Sequence, residues 1–476
     1  MKKMIKKKLW IPCAVAAFTI GASMISYAAA GWQQEGDDWC YYNADGEKAS
    51  DTWKKSGNHW FWLDSDGDMA VSSLIDDDGD FYYVNESGAM VKNEWRELDN
   101  EDRGDDEADT CWYYFSSSGK AYKASDSGRV SFKTIGRADG TSAKYAFDEE
   151  GKMLYGWIDE DGERQTGNDA WRSGLYYLGE AGDGALRSAQ WARLEAEDDD
   201  SEDDDYDGTY WFYFNTNGKK VKDTTKKING RQYRFREDGN AVFNWYLAST
   251  SSASESNMYY NSPDQCWRAE GWFKSVPDEN LDPEGYESGD EYWFYAQKSG
   301  ELVKSKIKKI NGQYYGFNEY GEMLYGLYKL SINDGEIQAY EEIESEDDLP
   351  EADEGWDVYY FGDSPKEGVM KTGKTTIDID GEDYTYNFRK SGTDRGAGYD
   401  GIYDGSIYIK GRLMKADKDS KLEIVSFEDE EYLVNTSGKI QKKKTNVKDA
   451  DDRYYCTDSA GIVTYVGTEK WEKEDK

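Results

Sequence analysis

The chain has 476 residues, in which 97 Asp and Glu outnumber 58 Lys and Arg, so the formal net charge is -39. A surface this acidic repels nucleic acid and anionic lipid, and we therefore predict neither as a partner. Aromatic side chains make up 15% of the residues, which argues for a folded protein because disordered chains are poor in aromatic residues.

Residues 1–30 have the organisation of an export signal. An apolar run from Leu9 to Ile25 follows a lysine-rich start and precedes the small residues Ala28 to Ala30. This order is typical of a signal peptide with its cleavage site, so we predict a secreted protein of the cell surface or cell wall. The alternative is an uncleaved membrane anchor. No later segment is apolar for long enough to span a bilayer, and we predict no membrane insertion after cleavage.

Aromatic segments recur at a fixed interval after this signal. They begin at Trp39, Trp60 and Phe81, which are 21 residues apart, and each is followed by a polar turn with glycine. A period near twenty residues is typical of a solenoid built from one supersecondary unit. We therefore predict an all-β fold, a β-hairpin repeat solenoid, with regular repeats over residues 31–92.

The second copy shows the expected layout of one hairpin. We predict a loop from Trp53, an aromatic strand over Trp60–Leu63, a turn over Asp64–Gly67 and a return segment that carries Met69. Asx side chains and a glycine with positive φ favour such a turn. An isolated hairpin is marginally stable in water, so its aromatic face is expected to pack on the neighbouring copies.

Later repeats are longer and less regular. We predict composite repeats over residues 93–340, and degenerate repeats with a C-terminal cap over residues 341–476. Runs of acidic residues interrupt these repeats, and we expect them to be solvated loops on one face. The acidic insertions occupy residues 97–109, 195–207, 278–291 and 341–354.

Two of the later hairpins carry a strong turn signal. Asn229-Gly230 and Asn311-Gly312 each stand directly ahead of an aromatic strand. Asn-Gly is favoured in the two-residue type I′ turn, since both positions need positive φ. We therefore predict a type I′ hairpin at each pair.

The chain offers little that is typical of metal binding or catalysis. Cysteines outside the signal lie beside aromatic strands, which favours small buried residues over disulfide bridges; they are Cys40, Cys111, Cys266 and Cys456. His59 is the only histidine, so a zinc site or a histidine-dependent triad is not expected. The Asp-rich turns lack the glycine and glutamate spacing of an EF-hand. We predict no catalytic residues, no metal and no cofactor.

The segment from Trp53 to Ala70 resembles the repeats of the choline-binding and cell-wall-binding family. Gly31-Trp32 and the stretch from Phe81 to Met90 resemble the same repeats, while the Lys-Ile-Asn-Gly hairpins are similar to repeats of clostridial toxin tails and glucan-binding domains. The resemblance implies hairpins stacked into a β-solenoid. It also implies that ligands lie between consecutive hairpins, in boxes of aromatic rings closed by a methionine or another apolar residue.

These boxes are transferred only to positions that match the pattern. Leu74-Ile75 and Leu327 stand where the pattern has tryptophan, which puts an aromatic box at those two junctions in doubt. The alternative for every ring is that it is simply core, because each hairpin must bury aromatic surface. The residues predicted to bind ligand are Trp32, Trp39, Tyr42, Trp53, Trp60, Trp62, Met69, Tyr82 and Tyr83, with Met90 as an alternative closing residue.

Two hypotheses for the function follow. The first is a secreted, non-catalytic protein of the cell envelope whose aromatic boxes bind cell-wall polysaccharide, teichoic acid or a choline-like group. Aromatic faces attract quaternary ammonium groups, with each contact contributing roughly 0.5 to 2 kcal/mol. The second is a surface adhesin or structural spacer that binds host glycan or protein through its acidic loops, with the repeats as scaffold.

Overall fold

The computed structural model describes residues 30–101, 103–104, 107–125, 128–199, 201, 205–249, 255–350, 355–364 and 368–472. The predicted signal peptide, apart from Ala30, and its Cys13 lie outside these residues. Among the residues described, no helix is long and apolar enough to cross a membrane.

The chain is all-β and consists mainly of short antiparallel hairpins. The first strands are β1 (Gly31–Glu35), β2 (Asp38–Tyr42), β3 (Thr52–Ser56), β4 (His59–Leu63), β5 (Ser73–Asp77), β6 (Asp80–Val84), β7 (Glu94–Asp99), β8 (Thr110–Phe115), β9 (Lys133–Gly136), β10 (Ser142–Tyr145), β11 (Trp157–Ile158), β12 (Arg164–Gln165), β13 (Tyr176–Tyr177), β14 (Gln190–Glu195), β15 (Thr209–Phe214), β16 (Thr224–Ile228) and β17 (Arg231–Phe235).

The remaining strands are β18 (Trp245–Ser249), β19 (Glu255–Tyr259), β20 (Gly271–Ser275), β21 (Tyr292–Ala296), β22 (Lys306–Ile310), β23 (Gln313–Phe317), β24 (Leu327–Asn333), β25 (Glu336–Glu342), β26 (Asp357–Tyr360), β27 (Gly373–Ile379), β28 (Glu382–Phe388), β29 (Gly401–Tyr403), β30 (Ser406–Ile409), β31 (Arg412–Leu413), β32 (Leu422–Phe427), β33 (Glu430–Asn435), β34 (Val447–Lys448), β35 (Tyr454–Thr457) and β36 (Val463–Gly467). The helices are α1 (Ala170–Ser173), α2 (Pro283–Ser288) and a 3-10 turn (Glu346–Asp348).

Two compact units divide the chain. Of the described residues, unit 1 contains those up to 192 together with 196–198 and 213–220, and unit 2 contains 193–195, those within 199–212 and those from 221 onward. In both units several aromatic strands end on a fully buried residue, as in Leu63 and Phe115 of unit 1 and Phe235 and Phe317 of unit 2. Each of these hairpins therefore contributes one anchoring side chain to the core of its own unit.

The predicted period of the repeat is confirmed, but the predicted position of the hairpin within it is wrong. Strands β1, β3, β5 and β7 begin at 21-residue intervals. In the second repeat β3 pairs with β4 across a two-residue turn, Gly57-Asn58, with Trp53 opposite Trp62. The segment from Trp53 to Ser56, which we expected as a loop, is thus the first strand.

Turn chemistry explains this difference. Gly57 has φ +58°, and glycine with positive φ at the first central position suits a two-residue hairpin turn. The predicted Asp64–Gly67 turn does form, because the Asp64 carboxylate accepts hydrogen bonds from the backbone N–H groups of Asp66 and Asp68, each at 2.9 Å. After it, however, the return segment makes only an isolated bridge between Leu63 and Met69.

Return segments tie consecutive hairpins together. The Ala70 N–H donates to Trp62 O in its own hairpin at 2.9 Å, whereas the Met69 N–H donates to Trp39 O in the preceding hairpin at 2.7 Å. The Met90 N–H likewise donates to Trp60 O at 2.8 Å. Within each unit, this backbone contact and the side chains around it stack the hairpins into a solenoid.

Methionine side chains also fill the space beneath the turn glycines. Gly88 has φ +77°, and a Cβ placed there would lie 2.8 Å from Met69 Cε. Gly79, with the same φ of +77°, has nothing within 4 Å of such a Cβ. The two glycines therefore separate the cost of backbone strain from the cost of a steric clash.

We expect Gly88→Ala to destabilise this region more than Gly79→Ala. The second change carries only the left-handed backbone penalty of about 1 to 2 kcal/mol, while the first adds overpacking against Met69 of about 1 kcal/mol or more. Chemical denaturation of the two variants, followed by tryptophan fluorescence, measures the difference. Equal losses of stability would mean that Met69 moves aside without cost.

The turn predictions in unit 2 are confirmed. Asn229 and Gly230 have φ +48° and +87°, and Asn311 and Gly312 have φ +49° and +89°, so both central positions are left-handed as a type I′ turn requires. The cysteines Cys40, Cys111, Cys266 and Cys456 are buried and unpaired. This agrees with their interpretation as small apolar strand residues.

Two parts of unit 2 differ from the expected pattern. The acidic insertion at 278–291 contains α2, whose first residue, Pro283, follows the buried Asp282; we had predicted a solvated loop. Strands β27, β28, β31, β30 and β29 form one five-stranded sheet, where we expected degenerate hairpins. Short two-residue turns such as Lys410-Gly411, with φ +49° and +91°, allow these strands to fold back onto each other.

Candidate ligand-binding site

Trp53 lies at the junction between the second and third hairpins. Its cross-strand partner is Trp62, and the two ring centroids are 5.3 Å apart with an interplanar angle of 66°. Tyr82 of the next hairpin approaches the same indole at 5.1 Å and 62°. Such edge-to-face pairs are favoured by the aromatic quadrupole and contribute about 0.5 to 1.5 kcal/mol each beyond the area they bury.

A carboxylate completes this group of rings. The Trp53 indole N–H donates to Asp77 Oδ2 at 3.1 Å, which fixes the orientation of the ring and places a negative charge at its edge. Met90 and Ile75 pack against the same cluster. Tyr82 is buried, and burial raises the pKa of its hydroxyl, so this ring stays neutral at physiological pH.

The same arrangement recurs along the chain, and we call each case a three-ring cluster. It consists of a tryptophan at the second position of a first strand, its cross-strand aromatic partner and one ring of the following hairpin. The tryptophan lies 4.8 to 5.6 Å from each of the other two rings. The clusters are Trp32 with Tyr41 and Phe61, Trp53 with Trp62 and Tyr82, Trp95 with Tyr114 and Tyr145, and Trp272 with Tyr295 and Tyr315.

The structure brings only some of the predicted site residues together. Trp53, Trp62 and Tyr82 form one cluster, while Trp32 contacts Tyr41 and Phe61 instead of Trp39. Tyr41 and Phe61 were not among the residues predicted from the sequence to bind ligand. The register set by the Gly36-Asp37 turn, which places Trp32 opposite Tyr41, was the signal that would have identified the first of them.

The other predicted residues have different surroundings. Trp60 is half-buried and lies beneath the Lys55 ammonium, 5.9 Å from its ring centroid. Tyr42 donates its hydroxyl hydrogen bond to Glu35 at 2.7 Å. The Trp39 backbone carbonyl accepts a hydrogen bond from the Met69 N–H, and the Met69 side chain lies beneath Gly88. The Tyr83 ring lies beneath the Arg96 guanidinium, 5.8 Å from its ring centroid.

The third hairpin lacks the tryptophan that organises a cluster. Leu74 occupies its position opposite Tyr83 and is 37% exposed. The guanidinium of Arg96 lies over the Tyr83 ring instead. The leucine at this position therefore agrees with the departure from the repeat pattern at Leu74-Ile75, and the described residues at this junction form no aromatic box.

No group of three or more His, Cys, Asp or Glu side chains among the described residues is arranged to hold a metal ion. His59 is exposed, and its ring lies 6.5 Å from Phe61 at an angle of 62°. Its neighbours are thus aromatic and polar strand residues.

Comparison with solved structures finds similar chains from Streptococcus pneumoniae. Choline binding protein F, solved with a peptidoglycan analogue, is 18% identical over 78% of this chain and 98% of its own, with a TM-score of 0.36. The choline-binding domain of CbpL is 21% identical over 51% of this chain and 98% of its own, with a TM-score of 0.31. The modular autolysin LytC is 20% identical over 64% of this chain, with a TM-score of 0.35, and the match spans 56% of the autolysin.

Comparison at the level of sequence families gives a direct match. Residues 51–69 and 107–121 match the family model described as a putative cell wall binding repeat, whereas no curated protein matches the chain. The first segment spans the β3–β4 hairpin and its return to Met69, and the second spans β8 and its return. The chain therefore contains repeats of the putative cell wall binding family, and the resemblance seen from Trp53 to Ala70 is confirmed.

Proposed function

We propose that the protein is a non-catalytic, cell-surface protein that binds cell-wall polymer through its three-ring clusters. The observation that carries this proposal is the recurrence of one half-buried tryptophan with two further rings at several hairpin junctions. A tryptophan needed only for the core would be fully buried, as Trp157 and Trp171 are. Trp32, Trp53, Trp95 and Trp272 are instead only half-buried, which leaves part of each side chain accessible to a ligand.

A choline-like group fits the electrostatics of these clusters. Indole faces attract quaternary ammonium groups, and Asp77 adds a carboxylate at the edge of the Trp53 ring. The net charge of -39 opposes an anionic polymer in bulk but attracts a cationic group carried by that polymer. Because the three rings touch edge to face, the ligand lies on their exposed faces and not in a cavity enclosed by them.

The proposal is tested by retention of the purified chain on a choline-decorated resin and on purified Gram-positive cell walls. We expect retention on both, and elution by free choline. Trp471→Ala is the control for substitutions within the clusters, because this residue is 42% exposed and belongs to none of them. This variant should bind like the unmodified chain.

Three outcomes decide between the hypotheses. Elution by free choline supports a quaternary ammonium ligand. Elution by wall glycan fragments alone would instead indicate that the same rings bind a sugar. No retention on either support contradicts binding to cell-wall polymer. In that case the acidic insertions, as sites for a host glycan or protein, become the leading candidate.

A further inference from the structure

A groove of about 480 Å³ lies within unit 2, beside the return segment of the β20–β21 hairpin. It is distinct from the three-ring clusters because its lining is polar and rich in lysine. Lys304, Lys306 and Lys308 line it together with Ser256 and Gln297. A volume of this size falls within the range of small-molecule sites in proteins.

Lys304 is the unusual member of this lining. It is half-buried, and burial alone lowers the pKa of its ammonium group, with no carboxylate acting on it. Among the described residues Lys304 forms no salt bridge. Burying a cation without a counter-charge is unfavourable, so the folded chain carries a cost here that a bound anion would offset.

The backbone holds Lys304 in place from both sides. The Val303 N–H donates to Tyr295 O at 3.0 Å, and the Ser305 N–H donates to Asn318 O at 2.8 Å. Val303 itself is buried. The ammonium is therefore presented by a segment that is already ordered, which lowers the entropic cost of binding.

The charges around the groove favour an anion, although the chain as a whole is acidic. Lys306 and Lys308 alternate along β22 and so project from one face of the strand. Two acidic residues also line the groove: Glu336 lies 4.0 Å from Lys306 and partly neutralises it, whereas Glu301 accepts a hydrogen bond from the Ser299 hydroxyl at 3.1 Å. Three lysines against these two carboxylates leave the groove with net positive charge.

We propose that this groove binds an oxyanion carried on a sugar or polyol, with the Lys304 ammonium as its principal partner. Lys306 and Lys308 supply further charge, and Ser256 and Gln297 can hydrogen-bond the hydroxyl groups of the carrier. The proposal does not depend on ligand binding at the three-ring clusters. The anion comes either from a phosphate ester or from a carboxylated sugar, and the test separates the two.

The test is isothermal titration of the whole purified chain with glycerol 3-phosphate and, separately, with glucuronate. We expect saturable binding of one of them with a dissociation constant of about 1 mM, weakening as salt is added. Lys304→Met keeps the apolar stem and removes the charge, so it should lose about ten-fold or more in affinity, since charge-assisted hydrogen bonds are the strong ones. The same variant should raise thermal stability, because the unpaired buried charge is gone.

Two controls make the result decisive. Lys309→Met changes an exposed lysine of β22 that lies outside the groove and should bind as the unmodified chain does. Trp53→Ala, in unit 1, should also leave the titration unchanged. A failure of the proposed wall-binding function can therefore be distinguished from a failure of anion binding in the groove. The proposal would be overturned if neither probe binds at a concentration of about ten times the expected dissociation constant. Equal losses of affinity in Lys304→Met and Lys309→Met would also overturn it.

Discussion

Trp53→Ala is expected to lower the stability of the second and third hairpins by about 3 kcal/mol and to remove one ligand site. The substitution deletes both edge-to-face contacts of the indole, with Trp62 and with Tyr82, and leaves Asp77 without its indole donor. Hydrogen exchange of the amides in β3 to β6 measures the local stability. Binding capacity for free choline, measured by equilibrium dialysis, reports the number of sites.

Trp60→Ala is the matched control for this prediction. Trp60 is on the same hairpin and is also half-buried, but its ring is covered by Lys55 and not by other rings. We expect a loss of stability within about 1 kcal/mol and an unchanged number of sites. If Trp60→Ala instead abolishes a site while Trp53→Ala does not, the ligand lies at the box predicted from the sequence and not at the three-ring cluster.

Glu322→Gln is expected to stabilise unit 2 at pH 8 and to leave it nearly unchanged at pH 4. Glu322, Asp282 and Asn318 are all buried at the junction between the insertion at 278–291 and the following hairpin. Burial, with the nearby Asp282 as a further cause, raises the pKa of Glu322 to about 7. Glu322 Oε1 has no donor among the described residues, which leaves the ionised carboxylate incompletely hydrogen-bonded in a buried position.

The sign of the pH dependence follows from this raised pKa. Between about pH 4.5 and pH 7 the folded chain keeps a proton on Glu322 that the unfolded chain has released, so stability falls as the pH rises through this window. Glutamine mimics the protonated acid and keeps an oxygen that can accept from Asn318 Nδ2, which lies 2.8 Å from Glu322 Oε2. The expected gain at pH 8 is about 2 kcal/mol.

The measurement is hydrogen exchange of the amides in β21 and β23 at several pH values. Glu319→Gln changes an exposed carboxylate three residues before Glu322. Its charge is the smallest of the causes that raise the pKa of Glu322, so this variant should shift stability by less than about 0.5 kcal/mol at every pH. A Glu322→Gln variant that is destabilised equally at pH 4 and pH 8 would show that the ionised carboxylate is the form the fold requires.

The sequence predicted the period of the repeat better than the position of its hairpin. The 21-residue interval follows directly from the aromatic strands, since each copy must bury the same rings. In the second copy both Gly57 and Gly67 have positive φ, so residue type alone did not distinguish the two-residue hairpin turn from the Asx turn that follows it. Only the strand pairing seen in the structure distinguishes the two turns.

Register also explains the partial success at the site. Trp53, Trp62 and Tyr82 were predicted because they are aromatic residues near the junction, and they do meet. Placing the first strand one segment too late assigned Trp39 as partner of Trp32 and left out Tyr41. A shift in register moves side chains to the opposite face of a hairpin, so one misplaced turn changes the whole set of contacts.

Long-range packing accounts for the features that no local pattern indicated. The helix α2 begins with the favourable Asp282-Pro283 pair, but its place in the structure depends on the burial of Asp282 beside Glu322, which is 40 residues away. The five-stranded sheet likewise depends on pairing between β28 and β31, where Tyr386 lies opposite Arg412. Neither contact leaves a periodic signal in the sequence.

The link through the return segment gives these repeats a modular character. Because the Met69 and Met90 N–H groups each reach back only to the preceding hairpin, the stability of a unit is close to a sum of single-hairpin terms and terms between neighbours. Unfolding can then spread from one hairpin to the next without collapse of the whole unit. Gain or loss of a complete 21-residue copy preserves every remaining junction, so the number of copies can vary over evolution while the binding surface of each copy is retained.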